Sequence, residues 1–272
     1  EAINEPLLFL LVQTAFLLFF AIWIIRKKRL PFNEYRKKLE GLFSGFHWFD
    51  YLLSGLIVIL LAAFFTVGIS TPPNNLDSLD HTNLTRILYW LQDGSFSYYS
   101  NSWSSILTDP LLLHIQGVWL YSLGKSENLF FLLQWFSLVI AAATLYQISR
   151  QLKFSTTNSL LSTIVGLSLP VALIQVYSFQ GDLTVSVLVL MSISFGLSYL
   201  RQKRLIDLIE FCLSFLLALV TKKAALLVIP VFVVFILLWM ISSRLTKRKL
   251  IPWISSALVL LALVVIFIVG RI

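Results

Sequence analysis

The sequence predicts an all-α polytopic membrane protein with about eight transmembrane helices and with amphipathic surface helices in its first extracytoplasmic loop. Hydrophobic residues make up 58% of the 272 residues and charged residues only 12%, against about 25% charged in soluble proteins. Apolar runs long enough for a membrane span, which needs about 20 residues, recur along the whole chain, and short basic clusters separate them. The mean hydropathy of +0.87 agrees with this class.

The net charge of +8, from 21 basic and 13 acidic residues, does not indicate a nucleic-acid partner. The basic residues stand in clusters between apolar runs, where they set the topology by the positive-inside rule. The single cysteine, Cys212, lies in an apolar run. It cannot form an internal disulfide, and the sequence shows no Cys/His spacing typical of a metal site.

Residues 1–50 are predicted to form an additional N-terminal transmembrane helix followed by a cytoplasmic interfacial segment. Residues 6–25 are apolar, and the basic cluster at 26–29 predicts a cytoplasmic position at their end, which puts the N-terminus outside. Residues 30–50 mix basic and aromatic side chains, a pattern typical of an interfacial helix. A solvated linker is the alternative for this segment.

Residues 51–272 are predicted to form the main transmembrane domain, which we expect to be C-terminally incomplete. Its first span, residues 51–70, runs outward and ends at 71–73, where two prolines cannot continue a helix. Later apolar runs alternate in direction and lie at 128–146, 158–176, 183–200, 205–220, 224–241 and 253–270. Pro170 predicts a kink in the second of these runs.

The loop 72–127 is predicted to be extracytoplasmic, since it carries only two basic residues, Arg86 and Lys125. A first amphipathic helix is predicted over 79–92, and a second follows position 110 and ends at Gly124. The apolar side chains that predict the first helix are Leu84, Ile87, Leu88 and Leu91.

The predicted topology places chemically active side chains from three outer segments on one face of the membrane. They are Asp77, Asp80, His81 and Arg86 in the first loop, Gln180 and Asp182 in the second, and Lys222 and Lys223 in the third. A carboxylate can act as a general base toward a hydroxyl group, and a lysine or arginine can hold a phosphate leaving group. An apolar scaffold around such groups suits a substrate carried on a lipid.

Each of these groups also has a structural alternative. Asp77 can cap the surface helix, and Asp182 can form a turn after Gly181. Arg86 can anchor the surface helix at lipid head groups, and the lysines at 222–223 can snorkel from a helix end. The sequence leaves these alternatives open.

Four stretches carry a more specific pattern through their order along the chain. They are Asn74-Asn75-Leu76-Asp77-Ser78 with Arg86 to Gln92 and Ser95 to Tyr99, then Asp109-Pro110-Leu111 running to Leu123-Gly124, then Pro170 to Asp182, and then Thr221-Lys222 with Ala225-Leu226-Leu227 and Pro230. In this order they resemble the GT-C class of membrane glycosyltransferases, which includes the protein O-mannosyltransferase-like and aminoarabinose-transferase-like groups. The resemblance covers roughly residues 51–240.

The resemblance implies a role for several of the outer residues. Asp77 matches the first-loop acid that serves as general base, and Asp182 matches the second-loop acid that positions substrates. Lys222 matches a lysine that contacts the lipid phosphate, with Arg86 assisting it. The interval from Asp77 to Arg86 is one residue longer than in the class, so Asp80 competes with Asp77 for the role of base.

The expected function is transfer of a sugar from a polyprenyl-phosphate donor to an acceptor hydroxyl at the extracytoplasmic membrane face, with inversion at the anomeric carbon. The expected partners are this donor, a glycan, lipid or protein acceptor, and the bilayer. No cofactor is expected, because the sequence shows no compact ligand cluster for the divalent metal that some members of the class bind. The expected location is the plasma (inner) membrane of the cell envelope.

A multi-pass transporter or lipid flippase without catalysis is the main alternative. It predicts ionisable residues in the middle of spans, along a pathway. Asp207 and Glu210 lie inside the run 205–220 but near its cytoplasmic start, so the pattern favours an enzyme. A non-catalytic membrane scaffold is a third hypothesis.

Overall fold

The computed structural model describes residues 5–26, 45–71, 83–96, 111–229 and 232–233, and every regular element within these ranges is helical. The α-helices are α1 (Glu5–Arg26), α2 (Trp48–Ser70), α3 (Leu84–Asp93), α4 (Leu112–Gly124), α5 (Phe131–Gln151), α6 (Thr156–Leu167), α7 (Pro170–Val176), α8 (Asp182–Gln202) and α9 (Leu205–Thr221). Short 3-10 helices lie at Glu127–Leu129 and Lys223–Val228. The predicted all-α class is therefore confirmed for the described residues.

Three of the described helical segments are long and apolar enough to cross a membrane, namely α2, the segment Glu127–Gln151 that contains α5, and α8. The pair α6 and α7 is a fourth if it counts as one span, and its two parts are bent by 61°. The bend lies at the predicted position, because Pro170 begins α7 and has no N–H to continue α6.

These three or four spans make the chain a multi-pass membrane protein, although the described residues supply fewer than the predicted number of about eight. Helices α1 and α9 coincide with two further predicted spans, and α9 has 17 residues. The predicted run 224–241 starts as a 3-10 helix, and most of it lies outside the described residues, as does the whole run 253–270.

The apolar helices α2, α5, α6 with α7, α8 and α9 alternate in direction, which produces two ends of the bundle. At one end the last turns of α2 contact the start of α5, where the Phe65 and Phe131 rings are 5.6 Å apart. The same end holds the start of α8 and the end of α9, joined by Asp182 and Lys222. We call it the Asp182 end. The opposite, Asp50 end joins the starts of α2 and α6 through Asp50 and Thr157.

Helices α5 and α8 pack through small and polar side chains. The Ser137 and Thr184 hydroxyls are 3.0 Å apart near the Asp182 end. Near the other end the Gln151 amide donates to the Ser198 hydroxyl at 2.7 Å. The buried face of α8 also includes Ser192, Ser194 and Gly196. Small residues let membrane helices approach closely, and interhelical hydrogen bonds add to this packing.

Helices α3 and α4 form a compact layer at the Asp182 end. Ile87 and Trp90 of α3 belong to one core cluster with Leu113 and Val118 of α4 and with Phe179. The predicted amphipathic helix is present, but its inner face differs from the expected one. Leu88 is 38% exposed, while α3 buries Arg86, Ile87 and Trp90. Arg86 and Trp90, each with a polar group near its end, thus lie on the inner face, while Leu88 does not.

Helix α4 lies inside this layer, with Leu113, His114, Gly117, Val118 and Leu120 buried. The predicted surface helix therefore buries one face that includes a polar residue, His114. Gly124 is the last residue of the helix, and Lys125 takes the left-handed conformation that follows it, with φ of 53°.

The contacts divide the chain into two units, residues 1–223 and 224–272. All of the helices α1 to α9 belong to the first unit. The second unit contributes residues 224–229 and 232–233 to the described part.

Candidate functional site

An ion pair joins two candidate residues, one from the second and one from the third outer segment. The Lys222 Nζ atom is 2.5 Å from the Asp182 Oδ1 atom, and the two side chains are 38% and 37% exposed. Asp182 is the first residue of α8, where the helix dipole favours a negative charge. Lys222 directly follows α9. The pair lies at the bundle surface, so a charged ligand can reach it.

The backbone at Gly181 brings Asp182 to this position. Gly181 has φ of 73°, a conformation that favours glycine. A Cβ atom built there would lie 3.1 Å from Leu113 and 3.7 Å from Thr221. The turn before α8 therefore packs closely against both α4 and the end of α9. This close approach places the Asp182 carboxylate beside Lys222.

Gln180 belongs to a chain of polar side chains in the same turn. The Ser178 hydroxyl donates to the Gln175 Oε1 atom at 2.7 Å, and the Gln175 amide nitrogen donates to the Gln180 Oε1 atom at 3.1 Å. Because the Gln180 oxygen accepts this bond, its amide nitrogen is directed elsewhere as a donor. Gln180 therefore lies in the same turn as Asp182, and its side-chain oxygen is already held by Gln175.

The start of α3 is fastened to this turn by Asn83. Its side-chain amide donates to the Phe179 carbonyl at 2.8 Å, and the residue is buried. Phe179 stacks on Phe130, with ring centroids 4.3 Å apart. The first and second outer segments of the sequence therefore meet at the Asp182 end.

Arg86 is buried in the layer of α3 and α4 rather than exposed at a head-group surface. It is only 2% exposed, and its Nη1 atom is 3.4 Å from the His114 Nδ1 atom. Its guanidinium carbon lies 5.7 Å from the centre of the Trp90 ring. Because arginine only donates hydrogen bonds, the His114 Nδ1 atom is the acceptor in this contact. This burial argues against Arg86 as a lipid anchor and equally against direct contact between Arg86 and a donor phosphate, the role that the resemblance implies.

His114 is a polar residue that is buried inside this layer. It is 4% exposed and lies next to Arg86 and Trp90. The sequence holds one hint of this burial, because the buried residues Leu113, Gly117 and Val118 lie on the same side of α4 as His114. Since α4 is apolar almost all around, helical spacing alone does not show that this side is buried.

The remaining candidates divide into exposed and undescribed residues. Lys223 is exposed at the start of the 3-10 helix Lys223–Val228. Asp77, Asp80 and His81 lie outside the described residues. The structure thus brings together Asp182, Lys222 and Gln180, with Arg86 in the adjoining layer.

Carboxylates at the opposite end of the bundle are engaged in local contacts. The Asp50 carboxylate accepts from the Thr157 hydroxyl at 2.6 Å and from the His47 backbone N–H at 2.9 Å. Asp207 accepts two bonds from Arg204, at 2.8 and 3.0 Å. These bonds raise the pKa of the Arg204 guanidinium above its usual value. Both carboxylates fasten helix starts.

In the described spans, acidic and basic side chains lie at the ends rather than in the middle. Asp50 is in the first turn of α2, Arg150 in the last turn of α5, and Asp182 and Arg201 in the terminal turns of α8. Helices α6 and α7 contain no acidic or basic residue. In α9, Asp207 lies in the first turn and Glu210 three residues later. These described helices therefore show no row of charges along their middle of the kind that a transport pathway uses.

Among the described residues, no group of three or more His, Cys, Asp or Glu side chains could hold a metal ion. The expected independence from metal stays a prediction, because the first-loop acids lie outside those residues. Comparisons with protein-family models, curated proteins and solved structures found no match to this chain.

Proposed function

We propose that this chain is a membrane glycosyltransferase that moves a sugar from a polyprenyl-phosphate donor to an acceptor hydroxyl. The observation that carries the proposal is the surface ion pair of Asp182 and Lys222 at the Asp182 end of the bundle. The turn that forms it also carries Gln180 and is joined to α3 by Asn83. Lys222, Asp182 and Gln180 therefore offer a cation, a carboxylate and an amide at the end of the bundle where we expect a lipid-borne phosphate to bind.

The apolar surface of the described helices supports a substrate that diffuses in the membrane. Large apolar side chains are exposed along α2, α6 and α7, and they include Val58, Ile59, Val165, Val171 and Ile174. In a bilayer such surfaces face lipid tails. A polyprenyl donor can therefore reach the Asp182 end laterally, without leaving the membrane.

The proposed reaction is a single inverting displacement. The acceptor hydroxyl loses its proton to a first-loop carboxylate, either Asp77 or Asp80, as its oxygen forms a bond to the anomeric carbon. The bond between that carbon and the phosphate oxygen breaks, and polyprenyl phosphate leaves with the electron pair. Lys222 balances the charge on the leaving phosphate, and Asp182 holds Lys222 in place until the donor binds. The products are the glycosylated acceptor and the lipid phosphate.

We further propose a plasma-membrane protein of about eight spans with the Asp182 end outside the cytoplasm. The charges of the described residues support this orientation by the positive-inside rule. At the Asp50 end, basic residues lie in the last turns of α5 and α8 and just after them. They are Arg150, Lys153, Arg201, Lys203 and Arg204.

The experiment that tests the function uses the full chain reconstituted in liposomes. The probes are polyprenyl phosphates carrying radiolabelled glucose, mannose, galactose or arabinose. We expect one donor to be consumed, with release of polyprenyl phosphate and with the labelled sugar either attached to an acceptor or, after hydrolysis, free in solution. Transfer should fall sharply in either Asp77→Asn or Asp80→Asn, which identifies the base.

The same experiment separates the transporter or flippase. Labelled donor that moves to the other leaflet and stays intact would favour that alternative. If no donor in the panel is consumed while the protein is folded, the glycosyltransferase proposal is wrong.

A further inference from the structure

The start of α1 and the end of α3 complete each other's backbone hydrogen bonding. The Glu5 N–H donates to the Gly94 carbonyl at 2.8 Å, just beyond the last residue of α3. The Phe96 N–H donates to the Glu5 Oε2 atom, also at 2.8 Å. The first N–H groups and the last carbonyls of helices lack partners within their own helix. Glu5 therefore satisfies groups at both helix ends with its backbone and its side chain.

A row of aromatic rings continues this contact into the layer of α3 and α4. Phe9, one turn after Glu5, meets Phe96 edge to face at 5.9 Å. Phe96 meets Trp90 in the same manner at 5.0 Å. Trp90 in turn lies beside Arg86 and His114. The first two turns of α1 are thus connected through packed rings to the buried arginine.

The described side chains further along α1 are largely exposed. Leu11 is 61% exposed and Leu18 is 58% exposed. A helix that served only as a membrane anchor would need no specific polar contact at its start. The described contacts of Glu5 and Phe9 attach the start of α1 to the end of α3.

From these contacts we propose that α1 positions α3, with Glu5 and Phe9 as its positioning residues. Glu5 holds the backbone at 94–96, Phe9 supports Phe96, and the two contacts keep Trp90 and Arg86 in the layer. The claim that this affects catalysis rests on the proposed function, whereas the claim that it holds α3 does not.

Hydrogen exchange of the full chain in lipid nanodiscs tests the positioning directly. In Glu5→Ala, the Phe96 N–H loses its acceptor, and we expect exchange over 86–96 to speed up about fivefold or more, since a hydrogen bond of this kind contributes roughly 1 kcal/mol. Glu5→Gln keeps an acceptor oxygen and should restore slow exchange. Phe9→Ala should act like Glu5→Ala, and Leu11→Ala is the control on the same helix. If the amide hydrogens at 86–96 exchange at the same rate in Glu5→Ala and Leu11→Ala, α1 does not position α3.

Donor consumption by the same four variants supplies the second measurement. We expect kcat/KM to fall several-fold in Glu5→Ala and Phe9→Ala and to recover in Glu5→Gln, while Leu11→Ala matches the wild type. Faster exchange with unchanged kcat/KM would overturn the link to catalysis. If the wild type consumes no donor, the proposed function fails, and the exchange result alone decides whether α1 holds α3.

Discussion

Two aspartates of this chain show how location decides what a carboxylate contributes. Asp50 is fully buried, and both of its oxygens accept hydrogen bonds, from Thr157 and from the His47 backbone. Asp182 is more than one third exposed and faces Lys222. Exposed ion pairs contribute little to stability, whereas removing a partner from a buried polar group is costly. Asp50 is therefore a structural residue, and Asp182 is available for a ligand.

The same substitution at both positions tests this contrast. Asp50→Asn places an amide N–H₂ where one oxygen now accepts, so we expect a loss of about 1–3 kcal/mol in the free energy of unfolding. Asp182→Asn should cost no more than about 1 kcal/mol. Denaturant titration in detergent micelles measures both values. Equal losses for the two variants would contradict the assignment.

The residues of the site differ in how far the sequence could predict them. Asp182 and Lys222 are 40 positions apart, yet hydropathy and topology predicted that both lie on the same face of the membrane. Asn83 bonds to a backbone carbonyl 96 positions away. A backbone acceptor has no signature in the sequence. The burial of His114 likewise depends on packing between α3 and α4, which no local pattern specifies.

Among the elements, the turn between α7 and α8 has the strongest influence on the site. The turn follows α7, which begins at Pro170 and is bent by 61° from α6. It ends at Gly181, whose backbone lies in the left-handed region. The sequence predicted the bend, because proline acts locally on the helix. It did not predict the close approach of this turn to Leu113, which is a tertiary contact.

Two glycine substitutions test the importance of that turn. Gly181→Ala forces a residue with a Cβ atom into a φ of 73° and places this atom 3.1 Å from Leu113. We expect a loss of about 1–2 kcal/mol in the free energy of unfolding, from the backbone conformation alone. Gly55→Ala is the matched control, because a Cβ atom there meets nothing within 4 Å. It should be neutral or slightly stabilising. A harmless Gly181→Ala would show that the turn is not constrained.

At the scale of the whole molecule, the alternating helices separate two chemically different ends. The Asp50 end holds carboxylates that fasten helix starts, and the Asp182 end holds the layer of α3 and α4 and the surface ion pair. Alternating apolar runs and basic clusters predicted this division for residues 51–222. The number of spans is harder to predict from the sequence, because hydropathy alone does not distinguish a span from a shorter apolar helix.

The proposed orientation of the two ends can be tested by labelling single cysteines. In a Cys212→Ser background, Lys125→Cys marks the Asp182 end and Lys153→Cys marks the Asp50 end, and both lysines are exposed. With a membrane-impermeant maleimide on intact cells, we expect Lys125→Cys to be labelled. Lys153→Cys should react only after permeabilisation. The reverse pattern would place the site on the cytoplasmic face.

The most direct measurement of the central claim is the rate at which the reconstituted chain consumes a polyprenyl-phosphate sugar, compared among the wild type, Lys222→Gln and Lys125→Gln. A charge-assisted contact to the leaving phosphate contributes about 1.5–3 kcal/mol, so Lys222→Gln should lower kcat/KM by roughly 10- to 100-fold. Its thermal stability should change little, because the ion pair it removes is partly exposed. Lys125→Gln removes the same charge from an exposed position at the same end and should match the wild type. Donor consumption by Lys222→Gln at the wild-type rate would contradict the account.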